Sequence, residues 1–196
     1  MEGYSLKQQL RAEFRERRRS LDSTRRHLFE KNIHQALLAL AEDSGAKTLA
    51  AYLAFDGEVD LSPALKALSE RGLTVTVPVI SGPPGEQFLR FQAWSPTATV
   101  RKNCFGIDEP QQEAQYALPD LDLVLLPLVA WDDHGRRLGM GAGYYDKALA
   151  PFRHSVTPLR VGIAFSLQQA PELPEESWDI PLHHVMTENG LFTCVP

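Results

Sequence analysis

Leu123 to Leu126 is an unbroken aliphatic run closed by Pro127. A segment this short, with no polar residue at alternate positions, fits a strand hidden on both faces better than one with a wet side. Thr48–Phe55 and Arg160–Phe165 are similarly apolar, and Leu73–Ile80 alternates with β-branched residues. Phe88–Trp94 is a further strand, and short strands near Val185–Glu188 and Leu191–Val195 close the chain. Helical patterns lie between. Ser5 suits an N-cap for a helix over 5–19 with Leu6, Leu10 and Phe14 on one face. A second helix spans Ser23–Glu42 with Leu28, Ile33, Leu37 and Leu40 inward, and a third spans Ser62–Arg71 and stops at Gly72. The segment 95–121 reads mostly as loop. This alternation predicts an α/β fold, with a mostly parallel, Rossmann-like central sheet covered on both faces. At 196 residues, one domain over 1–196 is expected. Ligands in such folds bind beyond the carboxyl ends of the strands.

The Leu123–Pro127 strand leads toward a loop with glycines at alternate positions, Gly139, Gly141 and Gly143, and then Tyr144-Tyr145-Asp146 opens a short helical pattern through Leu149. Backbone N–H groups of a glycine-rich turn wrap around anions. Arg136 and Arg137 precede the loop and Lys147 follows it, so a polyphosphate would meet cations as well as N–H donors. Asp146 supplies a carboxylate of the kind Mg²⁺ takes beside phosphates. The spacing is neither the dinucleotide fingerprint nor Gly-x-x-x-x-Gly-Lys-Ser/Thr. Glycine spacing alone would fit a structural turn equally well; the flanking residues favour a nucleotide triphosphate. One of Tyr144 and Tyr145 is expected to pack in the core, since neighbours on a helix face different ways.

Charge is unevenly placed: residues 1–35 carry a net +4 and the remainder −9. Lys7, Arg11, Arg15 and Arg18 follow helical spacing and form a cationic rail, whose ordinary fate is a solvated face. No aromatics interleave the arginines and the body is acidic, so nucleic acid is not an expected partner. Glu58 follows a predicted strand, a place that suits a ligand contact or a surface turn. His183 and His184 show no metal spacing, and Trp94, Trp131 and Trp178 read as core or pocket walls. Two distant cysteines, Cys104 and Cys194, fit a reducing compartment. No signal peptide or membrane span is read, so a cytoplasmic protein without membrane contact, and a monomer, is expected.

Longer strings carry more. Phe105-Gly106-Ile107-Asp108-Glu109-Pro110, Leu126-Pro127-Leu128-Val129-Ala130-Trp131-Asp132 and Gly135-Arg136-Arg137-Leu138-Gly139-Met140-Gly141-Ala142-Gly143-Tyr144-Tyr145-Asp146 resemble the 5-formyltetrahydrofolate cyclo-ligase (5,10-methenyltetrahydrofolate synthetase) family. Lys7-x-x-x-Arg11, Glu58-Val59-Asp60, Asp179-Ile180-Pro181 and Met186-Thr187-Glu188 fall where that family has motifs. The resemblance implies a three-layer α/β sandwich, with ATP and 5-formyltetrahydrofolate as substrates and Mg²⁺ as cofactor. It further implies ATP contacts from Lys7, Arg11, Arg137, Gly139, Gly141, Gly143 and Tyr144, and folate contacts from Glu58, Tyr144 and Tyr145. Asp146 would bind the metal, and Lys7, Arg137 and Tyr145 would serve catalysis. This chain departs from the family at Leu128, Trp131 and Leu61. A second acidic metal contact of some members falls at or next to His183 here. Other readings of the same residues are a non-catalytic nucleotide- or folate-binding protein and a small-molecule kinase.

Overall fold

The computed structural model describes residues 5–103, 106–111 and 114–195; Cys104 and Phe105, singled out above, lie outside them. The helices are α1 (Leu6–Arg19), α2 (Ser23–Asp43), α3 (Ser62–Glu70) and α4 (Tyr144–Leu149). The strands are β1 (Thr48–Ala50), β2 (Thr74–Ser81), β3 (Phe88–Ala93), β4 (Val100–Lys102), β5 (Asp108–Pro110), β6 (Gln115–Tyr116), β7 (Leu123–Pro127), β8 (Ala130–Trp131), β9 (Arg137–Leu138), β10 (Leu159–Ile163), β11 (His184–Thr187) and β12 (Gly190–Thr193). No helix among the described residues is long and apolar enough to cross a membrane.

Eight strands form the central sheet, in the order β12-β11-β10-β7-β1-β2-β3-β6. From β11 to β2 every pairing is parallel; β12 on one side and β3 and β6 on the other are antiparallel. The sheet is therefore mostly parallel, as the apolar strands predict. β7 shows why. Leu123 and Leu125 pack with Ile33, Leu37, Leu65 and Leu68 of α2 and α3, while Val124 and Leu126 pack with Leu149 of α4 and with Ile180 on the opposite face. Both faces of the strand are dry, and each such side chain contributes about 1.5–3 kcal/mol of burial. α1 belongs to a third cluster, in which Phe14 meets Val129, Ala130, Leu138 and Leu173 beyond the end of β7.

Several expectations change. The strand predicted over Thr48–Phe55 is a strand only over Thr48–Ala50, with one further bond from the Ala51 N–H to the Thr76 carbonyl, and the chain turns at Asp56 and Gly57, both at positive φ. The segment 95–121 holds β4, β5 and β6; its strands escaped notice because Val100, Arg101 and Lys102 are all exposed and show no apolar alternation. Leu6 and Leu28 face outward, at 58% and 54% exposure. The glycine loop does not leave β7 directly. The β8–β9 hairpin intervenes, its turn held by the buried Asp132, whose Oδ1 accepts from the N–H groups of His134 and Arg136. The loop still lies beyond the carboxyl end of β7, where α1 crosses it.

Candidate functional site

A cavity of about 800 Å³ lies between α1, the carboxyl ends of β1, β2 and β7, and residues 137–147. Lys7 and Arg11, one helical turn apart on α1, both line it. Arg11 Nε donates to the carbonyl of Gly139 at 2.8 Å, which joins two segments 128 residues apart in sequence. Lys7 Nζ donates to Asp179 Oδ2 at 3.1 Å and lies 3.7 Å from Glu176 Oε1. Arg137 reaches Asp146 Oδ1 at 2.7 Å, and the same oxygen accepts from the N–H of Ile180 at 3.0 Å. Burial pulls the Arg137 pKa down, and the charges of Asp146 and Asp179 oppose it. Gly141 has φ +108° and Gly143, which caps α4, has φ +68°, conformations that side-chain-bearing residues avoid. Gly139 lines the cavity too, with open space where a Cβ would stand.

Much of the remaining lining is apolar, with carboxylates set into it. Tyr52, Phe55, Val77, Pro78, Ile80 and Leu89 line it, with Glu58, Asp108 and Glu109. The Glu58 side chain is 10% exposed; its Oε2 accepts from the Phe55 N–H at 3.1 Å, and Arg18 stands 3.9 Å from Oε1. Burial raises its pKa to about 7, against the pull of Arg18 and the Phe55 hydrogen bond. Tyr145 also lines this space, and its hydroxyl is buried without a hydrogen-bond partner among the described residues. Burial first, and then the nearby Glu58, push the Tyr145 pKa up. Tyr144 donates to Gln87 Oε1 at 2.9 Å and so ties α4 to the β2–β3 turn. Both tyrosines therefore line the cavity, although Tyr145 also packs against the core cluster of β7.

The cationic rail divides. Arg18 is fully buried and donates to the carbonyls of Asp56 and Leu128, both at 3.0 Å, and to Asp56 Oδ2 at 3.0 Å. Arg15 and Arg19 reach the same Asp56 carboxylate. Burial works against that charge, but the bonds from Arg15, Arg19 and Arg18 hold its pKa below the usual carboxylate range. Asp56 thus takes up Arg19 and the two cations, Arg15 and Arg18, that sequence spacing grouped with Lys7 and Arg11, and it fixes α1 over the site. Arg136 is a second correction. It turns out of the cavity to Glu172 at 3.1 Å and Glu175 at 3.2 Å, leaving Arg137 and Lys147 as the cations flanking the loop.

His183 is not the place of a second acidic contact. Its Nδ1 accepts from the Arg160 backbone N–H at 3.0 Å, and its Nε2 lies 2.6 Å from Arg160 Nη2. Burial and the Arg160 charge lower its pKa to about 4. The carboxylates that line the cavity near the chain's end are Glu176 and Asp179, the latter one residue before the apolar Ile180 that anchors its loop in the core. Sequence reasoning also missed Glu109, whose Oε1 accepts from Ile80 N–H and Asn103 Nδ2, each at 2.9 Å. Its presence in the Asp108-Glu109-Pro110 string was the available signal.

With this geometry in view, comparisons with known proteins are direct. The family model for the 5-formyltetrahydrofolate cyclo-ligase family matches residues 4–188. A 5-formyltetrahydrofolate cyclo-ligase of Haemophilus influenzae is 37% identical over 182 residues, covering 92% of this chain and 96% of the relative. That of Escherichia coli K12 is 36% identical over 180 residues, covering 91% and 98%. Among solved structures, the 5,10-methenyltetrahydrofolate synthetase of Aquifex aeolicus superposes with a TM-score of 0.81 at 32% identity, covering 97% of this chain and 94% of that one.

Proposed function

The chain belongs to the 5-formyltetrahydrofolate cyclo-ligase family, and we propose that this cavity closes 5-formyltetrahydrofolate to 5,10-methenyltetrahydrofolate at the expense of ATP. The observation that carries the assignment of residues is the convergence of Lys7 and Arg11 on α1 with Arg137, Asp146 and the glycine loop at one end of one cavity. That end suits a polyphosphate. The apolar end, with Glu58 and Glu109, suits the flat, N–H-rich pterin.

The chemistry follows from the substrates. A formyl oxygen on N5 leaves poorly, so the γ-phosphoryl group is transferred to it: the oxygen–phosphorus bond forms as the bond to ADP breaks. N10 then attacks the formyl carbon, phosphate leaves with the former formyl oxygen, and the N10 proton is lost. Lys7, Arg11 and Arg137 neutralise charge on the transferring phosphoryl group, and the loop N–H groups orient it. Glu58, with a pKa near 7, is suited to accept the N10 proton. The unpartnered Tyr145 hydroxyl is suited to donate to the formyl or phosphoryl oxygen.

Mg²⁺ fits the residues present. Both hydrogen bonds of Asp146 fall on Oδ1, and Asp179 stands at the same end. No group of three or more metal-binding side chains exists among the described residues, in keeping with an ion held by one or two carboxylates and substrate phosphates. When bound, the ion would supply further charge neutralisation on those phosphates.

The test is isotopic. With ¹⁸O in the formyl group, one labelled oxygen should appear in the released phosphate. Unlabelled phosphate would overturn the phosphorylation of the formyl oxygen, and a stable phosphorylated folate would favour a kinase.

A further inference from the structure

The polyphosphate end of the cavity contains a residue that the reading above does not use. Trp178 lines it and is 64% exposed, whereas Trp131 is buried at 1%. An indole left this open in water is an unused apolar face of considerable size. Among the described residues its ring joins no aromatic or cation–π contact. The backbone that carries it is nonetheless tied on every side. Asp179 Oδ2 accepts from the Glu176 N–H at 2.9 Å, and the Asp179 N–H donates to the Glu176 carbonyl at 3.0 Å. Arg153 holds the carbonyl of Ser177 at 2.8 Å, and Ile180 N–H is bound by Asp146. A turn fixed at four points presents a free aromatic ring at the mouth of the site.

We propose that Trp178 is the platform on which the adenine ring of ATP stacks, and so the residue that makes this site select a nucleotide rather than any polyphosphate. The inference rests on the proposed phosphate role of Lys7. Asp179, the next residue along, is the 3.1 Å partner of Lys7 Nζ, so the ring lies one residue from the phosphate cation. A nucleotide with its phosphates at Lys7, Arg11 and Arg137 must extend its base toward the mouth. The pterin is assigned instead to Glu58 and Glu109, whose carboxylates match its N–H groups and line the same cavity from other segments of the chain. Stacking on an aromatic face is tolerant of base identity, so GTP should be accepted better than tripolyphosphate.

The experiment compares ATP, GTP and inorganic tripolyphosphate on the whole chain by tryptophan fluorescence and by competition in the cyclisation assay. ATP and GTP should quench and shield the exposed indole; tripolyphosphate should compete for the site and leave the emission unchanged. Trp178→Ala should raise the KM for ATP about tenfold, within the range of one stacked base, with the loss falling on KM rather than on kcat. Trp178→Phe should restore most of it. A rise in the KM for 5-formyltetrahydrofolate with that for ATP unchanged would overturn the proposal, as would equal affinity for ATP and tripolyphosphate. Binding of neither would overturn the phosphate reading itself, and the platform with it.

Discussion

Glu58→Gln should make folding stability less dependent on pH and, above neutrality, greater. The Glu58 carboxyl titrates near 7 in the fold against 4.5 ordinarily, because burial disfavours its charge more than Arg18 and the Phe55 N–H favour it. The folded protein therefore holds this proton more tightly than the unfolded chain. Its contribution to stability is complete below about pH 4.5 and is lost as pH rises through about 7. At 1.36 kcal/mol per pH unit, the gap between 4.5 and about 7 corresponds to about 3 kcal/mol. Glutamine has the same shape, keeps an oxygen for the Phe55 N–H and has no proton to lose. Urea unfolding of both proteins at pH 5, 6, 7 and 8 should give a difference that moves in the variant's favour by about 2–3 kcal/mol across the series. The difference between the two proteins cancels groups common to both, such as His183. Parallel stability curves would refute the buried, proton-holding Glu58. In the same variant the rise of kcat/KM through about pH 7, expected when the ionised carboxylate accepts the N10 proton, should vanish with most of the activity.

Three further substitutions address the other end of the cavity. Lys7→Ala should weaken ATP binding at least tenfold, as befits loss of about 1.5–3 kcal/mol of charge-assisted bonding, with the melting temperature little changed; unaltered ATP affinity by calorimetry would remove Lys7 from the site. Asp146→Asn should shift the magnesium dependence of turnover to higher concentration, and a normal titration would exclude this carboxylate from the metal. Gly141→Ala forces an alanine to φ +108° with its methyl 3.4 Å from the Arg11 guanidinium carbon. It should cost about 1–3 kcal/mol of loop strain, read as a raised KM for ATP, and an unchanged KM would show that the loop does not hold the phosphates.

The parallel sheet was legible in the sequence because β7 and its neighbours are apolar on both faces, which a half-wet strand never is. β1 was overextended because Ala51 and Tyr52 are as buried as the strand itself; burial, not pairing, writes the apolar run. The ligand loop was legible through Gly141 and Gly143, where positive φ leaves little choice but glycine. Helical spacing could not separate Lys7 and Arg11 from Arg15 and Arg18. Their fates differ through Asp56, a residue brought to α1 by a turn after β1 that no local pattern announces. Asp179 was visible only as part of a family string and Trp178 only as a core or pocket wall; their place beside Lys7 was not legible, because their loop is positioned by Ile180 entering the core and by contacts with Asp146 and Arg153, all distant in sequence.

The central claim is that this cavity closes the folate ring using ATP. Its most direct test is the near-ultraviolet absorbance of the purified protein mixed with 5-formyltetrahydrofolate, ATP and Mg²⁺. Growth of the methenyl chromophore, dependent on both ATP and protein, is the predicted result. No chromophore under conditions where both substrates are shown to bind would contradict the account.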